Sequence, residues 1–550
     1  MLQKIARILL KTILVVTLIV LIFGVYVYHV SDIKPPRISD TSALLRQRIS
    51  TDTNAYQVGK NWLQKNPYGL YEMYLEGAPF ERGVVYGKLA QELIVDQEIA
   101  FTQEIKRMIP SSRYLKFLKY MVGFMNRNLS DYVIQEYQEE IYGISLSASH
   151  EFDWIGTNYS RQLNYHAAHD IGHALVNMML VGCTSFATWN QYSADSQLII
   201  GRNFDFYVGD EFAKKKIIAF YRPDRGIPFM SVTWGGFAGV VSGMNLEGLT
   251  VTINANKSSI PFGAATPVSL VAREILQYAS NIDEAVAIAT KRKMFVSESF
   301  LIGSAKDHRA VVIEKTPEDV DVYRSDIDRI TCANHYQGKK LAKESLNLEQ
   351  MQQSASKYRF DRLQELLNAA GPNTPEKTAA ILRDYKGKNN ADIGLTNEKA
   401  LNQFIAHHSI IFEPEKRLVW VSTSPWQEGA YICYDLKTIF SHATHSMPLY
   451  NPSLTIAPDT LLQTKTYQQL QTYLYLEQQH IHRKPIVPMQ IVQANPTYYD
   501  AYRIAGDVYM ERQQKDSALL MYQKALKFEI ATQGERESIL DKIKTLSPSL

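Results

Sequence analysis

Gly182-Cys183-Thr184-Ser185-Phe186-Ala187-Thr188 is answered further along by Gly201-Arg202-Asn203-Phe204-Asp205-Phe206. Read together, these two stretches decide the fold. Cys183 to Gln191 is rich in β-forming residues, Ser193-Ala194-Asp195-Ser196 is turn chemistry, and Leu198 to Phe206 returns as a second strand. The hairpin sets a thiol, a guanidinium and a carboxylate on neighbouring strands. Arg202 and Asp205 beside Cys183 are expected to lower the thiol's pKa and orient an adjacent base. An ordinary buried cysteine in a sheet is the alternative.

Composition bounds what surrounds this hairpin. With 550 residues, 45% hydrophobic and 21% charged, the chain can bury a large core and divide into about two or three domains. A formal charge of +3 without a long basic run argues against nucleic acid as a partner. Lys4, Arg7 and Lys11 precede an uncharged stretch from Thr12 to Tyr28 that Pro35-Pro36 follows. This matches the roughly 17 to 25 residues of a membrane-spanning helix and exceeds the core of about 7 to 15 in a signal peptide. A signal anchor over residues 1–30 is expected, with a cleaved signal as the alternative. The basic residues then stay cytoplasmic and the body lies outside, in the periplasm if the cell is Gram-negative. Cys183, Cys332 and Cys433 are the three cysteines. They form neither a disulfide framework nor a zinc motif, although Cys332 and Cys433 could pair in an oxidising compartment.

Outward from the hairpin the period of the pattern changes twice. Residues 31–75 read as a polar spacer ending in a first strand at Leu70 to Leu75. Residues 76–182 are helical, with Leu89, Leu93, Ile94 and Ile99, then Tyr114, Phe117, Leu118, Met121 and Phe124, at three-to-four spacing. From 183 to 450 short strands dominate, among them Leu249 to Asn254, Ala310 to Glu314, Ile330 to Ala333 and Ser409 to Phe412. Helices interrupt them at Pro267 to Ala279, Asp283 to Lys291, Ser354 to Ala370 and Pro375 to Lys386, the last capped by Thr374. Hairpins in series with helices in separate runs indicate an α+β layered sandwich. In residues 461–550, Tyr502, Ala505, Gly506, Tyr509, Ala518, Tyr522 and Ala525 fit the large and small positions of a tetratricopeptide repeat, with Ile530 where proline is usual. A generic helical hairpin is the alternative.

Six ordered segments carry a resemblance. They are Glu76-Gly77-Ala78-Pro79-Phe80-Glu81-Arg82-Gly83, the two halves of the hairpin, Gly243-Met244-Asn245-Leu246-Glu247-Gly248-Leu249 leading to Asn254, Ala333-Asn334-His335, and Ser356-Lys357-Tyr358-Arg359-Phe360. In this order they resemble the acyl-coenzyme A:6-aminopenicillanic acid acyltransferase family, and more distantly the choloylglycine hydrolases and acid ceramidases. All are N-terminal-nucleophile (Ntn) hydrolases. The resemblance implies an αββα sandwich of antiparallel sheets. It also implies a precursor that cuts itself between Gly182 and Cys183, giving a helical pro-segment (76–182) and a catalytic part (183–450).

The physical logic of such a cut is independent of the family. A free α-amine titrates at about 7.7 to 8.0, far closer to working pH than a lysine at about 10.4. By resemblance Cys183 is the nucleophile towards an N-acyl linear amide, Asp205 positions its amine, and Arg202 supplies positive charge. Asn254 is the oxyanion donor, with Asn256 on the same side as the alternative. Asn334 is a second active-site asparagine, and Arg359 completes the site. No cofactor is implied. The expected partners are a small or lipid-like N-acyl amide, the membrane, and a protein bound by the repeat. A catalytically idle anchored scaffold working through the repeat is the competing function. His166, His169, Asp170 and His173 share a helical face at metal-compatible spacing, but contacts against the sheet are the plainer expectation. Gly235-Gly236-Phe237-Ala238-Gly239 lacks the context of a phosphate loop and reads as a close-packed turn.

Overall fold

The computed structural model describes residues 2–167, 182–206, 209–258, 263–441 and 448–547. Its strands are β1 (Ile49–Asp52), β2 (Ala55–Val58), β3 (Asn61–Lys65), β4 (Tyr71–Gly77), β5 (Thr184–Thr188), β6 (Ile199–Phe204), β7 (Ile217–Pro223), β8 (Phe229–Thr233) and β9 (Ser242–Asn245). They continue as β10 (Leu249–Ala255), β11 (Glu298–Ser304), β12 (Arg309–Lys315), β13 (Val320–Tyr323), β14 (Arg329–Cys332), β15 (His408–Glu413), β16 (Leu418–Ser422), β17 (Tyr431–Asp435) and β18 (Tyr450–Ile456). They form an 11-stranded sheet in the order β1-β2-β3-β4-β7-β8-β9-β10-β11-β12-β13 and a 7-stranded sheet in the order β14-β5-β6-β15-β16-β17-β18.

Alternation along the strands explains why the sheets stack. In β7, Ile218 and Phe220 face the 7-stranded sheet, meeting Ile410, Phe412, Val419 and Tyr434 in one core. Ile217 and Ala219 face the other way, towards Val85, Leu89 and Ile141 of the N-terminal helices and Ile275 of helix Val268–Tyr278. On the outer face of the smaller sheet, Phe186, Ile199 and Ile411 pack against Leu363 and Leu382. A strand buried on both faces must be apolar at successive positions, and β7 is. The layers are therefore helix, sheet, sheet, helix.

Three sequence expectations need correction. Residues 31–75 are more than a spacer, because β1, β2 and β3 extend the larger sheet and bury Trp62 and Leu63. β1 (Ile-Ser-Thr-Asp) is exposed throughout, so it carries no alternation to betray it. The sheets are antiparallel except that β4 runs parallel to β7. Cys332 and Cys433 are unpaired, and they sit on β14 and β17, five strand spacings apart in the smaller sheet. That separation is about 24 Å at 4.8 Å per strand, far beyond disulfide reach.

Helix Leu2–Val30 contains a span, Gln3–Val30, that is apolar and long enough to cross a membrane, and none of it is buried by the rest of the chain. Phe23 and Tyr26 meet Phe124 with ring centroids 5.6 and 6.4 Å apart. The C-terminal helices Lys465–Ile481, Pro488–Ala494, Tyr499–Glu511, Lys515–Ala525 and Gln533–Leu546 have their own core of Tyr473, Tyr499, Ile504, Met521, Tyr522 and Ile539. A Cβ on Gly506 would fall 2.4 Å from the Tyr522 ring, so glycine lets the two helices meet.

This helical unit grips one loop of the sandwich. Asn495 accepts from the Leu395 backbone N–H at 3.0 Å and donates to the Leu395 carbonyl at 2.8 Å. Asn397 donates to the Glu529 carbonyl at 2.9 Å. Asn495→Ala strips a buried backbone group of both partners, so a loss of about 1–3 kcal/mol is expected. Urea unfolding of the full chain measures it, and an unchanged midpoint would show that the grip adds nothing.

Candidate active site

β5 and β6 pair antiparallel with Thr184 opposite Asn203 and Ser185 opposite Arg202. The ladder continues one step past the strands, where the Gly182 N–H donates to the Asp205 carbonyl at 2.9 Å. This register holds the Gly182–Cys183 peptide bond in a fixed place beside Asp205. The strands are shorter than the Cys183–Gln191 and Leu198–Phe206 read from the sequence, because Asn190–Tyr192 forms a 3-10 turn.

Cys183 is fully buried. Arg202 Nη2 donates to its Sγ at 3.5 Å. The same guanidinium is fixed by the Val241 carbonyl at 3.1 Å, by Ser242 Oγ and by the Ile253 carbonyl, and it lies over the Phe204 ring at 4.2 Å. Its position is thus set by three elements. The expected lowering of the thiol's pKa does not occur in this structure. Burial pushes Cys183 up to about 11, outweighing the favourable charge of Arg202. Burial likewise raises the Asp205 carboxyl to about 7, against the pull of Arg359 and Arg202.

Asp205 Oδ1 is buried without a hydrogen-bond partner, while Oδ2 accepts from Gln403 Nε2 at 3.3 Å. A buried carboxylate oxygen left open marks a place where a donor belongs. Arg359, on helix Ser356–Ala369, donates through Nη2 to Asn334 Oδ1 at 2.6 Å and through Nη1 to the Glu398 carbonyl at 2.9 Å. Asn334 Nδ2 donates to the Ala255 carbonyl at 2.8 Å, just past Asn254 at the end of β10. Asn254 accepts from Ser185 Oγ at 3.2 Å and donates to the Cys332 and Ala333 carbonyls at 3.3 and 3.2 Å. Asn256 turns away to Ser299 Oγ at 2.7 Å.

Gly182, Asn334, Ser356, Arg359, Glu398 and Gln403 line one small pocket. Of the six residues singled out from sequence, Arg202 is hydrogen-bonded to Cys183 and Arg359 to Asn334, and charge couples Asp205 to both arginines, while Asn254 is tied to β5 through Ser185. Gln403 escaped the sequence reading, because nothing in its neighbourhood distinguishes it from any loop glutamine. A second pocket is walled by Phe101, Phe206, Phe212, Trp234 and Phe237. Phe206 directly follows Asp205 in sequence and stacks on Phe204 at 5.5 Å, which connects this aromatic pocket to the Arg202 side of the site.

His166 uses both ring nitrogens, Nδ1 with the Gln162 carbonyl and Nε2 with the Ala238 N–H, each at 2.8 Å, and stacks on Phe237 at 5.0 Å. Burial lowers its pKa to about 4, so it is a neutral packing group. His169, Asp170 and His173 lie outside the described residues. Gly235 and Gly236 form a turn against helix Gln91–Met108. A Cβ on Gly235 would stand 2.2 Å from the Leu93 carbonyl oxygen, and Gly236 takes φ +85°.

The chain is 26% identical over 251 residues to an uncharacterized protein of Archaeoglobus fulgidus, covering 43% of this chain and 42% of that one. It is 24% identical over 237 residues to N-acylethanolamine-hydrolyzing acid amidase of Caenorhabditis elegans, covering 41% and 62%. It thus spans less than two thirds of the length of either. Among solved structures, the Caenorhabditis elegans N-acylethanolamine-hydrolyzing acid amidase ortholog aligns at 19% identity and TM-score 0.31, over 42% of this chain and 93% of its own. The R18L variant of conjugated bile acid hydrolase from Clostridium perfringens aligns at 14% and 0.28, over 46% and 93%. Residues 189–424, which begin just after Cys183 and take in Arg202, Asp205, Asn254, Asn334 and Arg359, match the model of the acyl-coenzyme A:6-aminopenicillanic acid acyl-transferase family.

Proposed function

We propose that the protein is a self-processing cysteine amidohydrolase or acyltransferase that cuts its own Gly182–Cys183 bond and then attacks an N-acyl linear amide. The observation that carries the reading is the Cys183 thiol on Arg202, one residue after a glycine whose N–H is tied to Asp205. Cleavage turns a peptide nitrogen into an amine beside that thiol. The amine, titrating at about 7.7 to 8.0 in the open, accepts the thiol proton as sulfur attacks the substrate carbonyl and passes it to the leaving amine. The open Oδ1 of Asp205 is a natural acceptor for one of its N–H groups. Arg202 then faces a thiolate, and removing the Gly182 residue relieves the burial that holds the thiol up.

Asn334 and Arg359 line the same pocket as Gly182, so a substrate carbonyl entering there meets them. Asn254 is the proposed oxyanion donor once its amide turns from the Cys332 and Ala333 carbonyls. The aromatic pocket suits an apolar acyl group. The N-terminal helix is proposed as an anchor that leaves this body outside the cytoplasm, and the C-terminal helices as a tetratricopeptide-like unit able to bind a protein. The named activity of the nematode relative, hydrolysis of N-acylethanolamines, makes lipid amides the first class to try.

Product analysis with N-acyl amides of graded chain length, with and without a competing amine, tests the reading. Release of the free acid marks hydrolysis, and a new amide marks acyl transfer. If no amide turns over and a thiol-directed acylating probe leaves Cys183 unlabelled, the reading fails.

A further inference from the structure

Gln403 sits at the bond to be cut. Its Nε2 lies 3.3 Å from the Gly182 carbonyl oxygen and 3.3 Å from Asp205 Oδ2. An amide nitrogen has two hydrogens, so both oxygens are served by the one group. The contact is close: a Cβ on Gly182 would fall 2.6 Å from Gln403 Nε2, so a larger residue there would push the Gln403 amide off the carbonyl.

The asparagines expected to act as donors are otherwise engaged while the chain is whole. Asn254 Nδ2 points at the Cys332 and Ala333 carbonyls, and Asn334 Nδ2 at the Ala255 carbonyl. Among the described residues, Gln403 is the side chain seen donating to the Gly182 carbonyl.

The loop around Gln403 is built to aim it. Phe404 adopts φ +55°, a conformation that costs a bulky side chain free energy. Its ring is held between Tyr385 and Trp426 at 5.9 and 5.7 Å, and its N–H donates to Asn402 Oδ1 at 3.0 Å. Upstream, Leu395 and Asn397 are the residues that the C-terminal helices grip.

We propose that Gln403 is the oxyanion donor for self-cleavage at Gly182, a role separate from that of the asparagines in substrate turnover. This rests on the self-processing reading above. As Cys183 Sγ loses its proton and bonds to the Gly182 carbonyl carbon, the carbonyl π pair moves onto oxygen and is met by the Gln403 N–H. Collapse breaks the C–N bond, the Cys183 nitrogen takes a proton, and Gly182 is left as a thioester on Cys183. Water then attacks that thioester, yielding the Gly182 carboxylate and the free thiol.

The test is a time course of fragment formation by the full chain made in a cell-free system, for wild type, Gln403→Leu and the isosteric Gln403→Glu. Loss of one oxyanion donor costs about 10²–10³-fold in rate, so both variants are expected to slow cleavage by that factor while their melting temperatures stay within a few degrees of wild type. Hydroxylamine, which intercepts thioesters, is expected not to restore the lost rate, because the slowed step precedes the thioester. Either folded variant cutting within twofold of wild type would overturn the proposal, as would full rescue by hydroxylamine. A wild-type chain that never cuts would instead overturn the self-processing reading on which it rests.

Discussion

A Cys183→Ala protein is expected to remain one chain of 62.7 kDa and to turn over no amide, with both losses at least about 10⁴-fold. No other described cysteine can substitute. Cys332 and Cys433 are buried in the sheets, and burial drives both thiols far above the usual range. The fold should survive, because the change deletes a single buried sulfur and leaves Arg202 its two backbone carbonyls and Ser242. Melting temperature and denaturing gels, run side by side, measure both effects. Continued splitting of this variant at residue 182 would remove Cys183 from the mechanism.

The second large effect lies away from the chemistry. Glu140 is completely buried between Arg82 at 2.6 Å and Arg273 at 3.0 Å, and all three side chains are inaccessible. Arg82 also donates to the Gly77 carbonyl and Arg273 to the Ala238 carbonyl, at 2.8 and 2.6 Å. Glu140→Ala leaves the buried Arg273 without a carboxylate and Arg82 with Glu136 at 3.3 Å as its remaining close one, a loss of about 3–5 kcal/mol against a total of about 5–15 kcal/mol for a folded domain. Denaturant unfolding should show it, and an unchanged midpoint would mean that solvent reaches the network. Replacing all three residues by Arg82→Met, Glu140→Leu and Arg273→Met should restore much of the loss, since what destabilises is the unpaired charge.

This network bears on the proposed cut because Arg82 and Glu140 precede residue 182 and Arg273 follows it. β4 and β7, also from opposite sides, are hydrogen-bonded in parallel from Tyr71–Ile217 to Gly77–Pro223. Two fragments joined by a shared sheet and a buried ion network are expected to stay together after cleavage. Their separation therefore needs denaturing conditions.

What the residues disclosed in advance was mostly local. The hairpin around Cys183, the helix capped by Thr374, the apolar run of β7 and the alternation of β10 follow from short-range pattern, and the structure contains them. The larger-sheet strands before residue 70 were hidden because β1 is polar and exposed and β2 is only four residues long and mostly half-buried, while β3 joins the rest of the sheet through β4. Gln403 was invisible for a different reason. Its function depends on a contact with a residue 221 positions away, and no periodicity or spacing records such a contact. The direction of the Cys183 pKa was also misjudged, because a nearby arginine is readable in sequence and the depth of burial opposing it is not.

The proposed chemistry depends on one event, the release of the Cys183 amine. Intact mass and N-terminal sequencing of the purified full-length protein under denaturing conditions test it directly. The predicted result is two polypeptides, the C-terminal one beginning Cys183-Thr184-Ser185. A single uncut chain that hydrolyses amides, or a pair of fragments whose junction lies elsewhere, would contradict it.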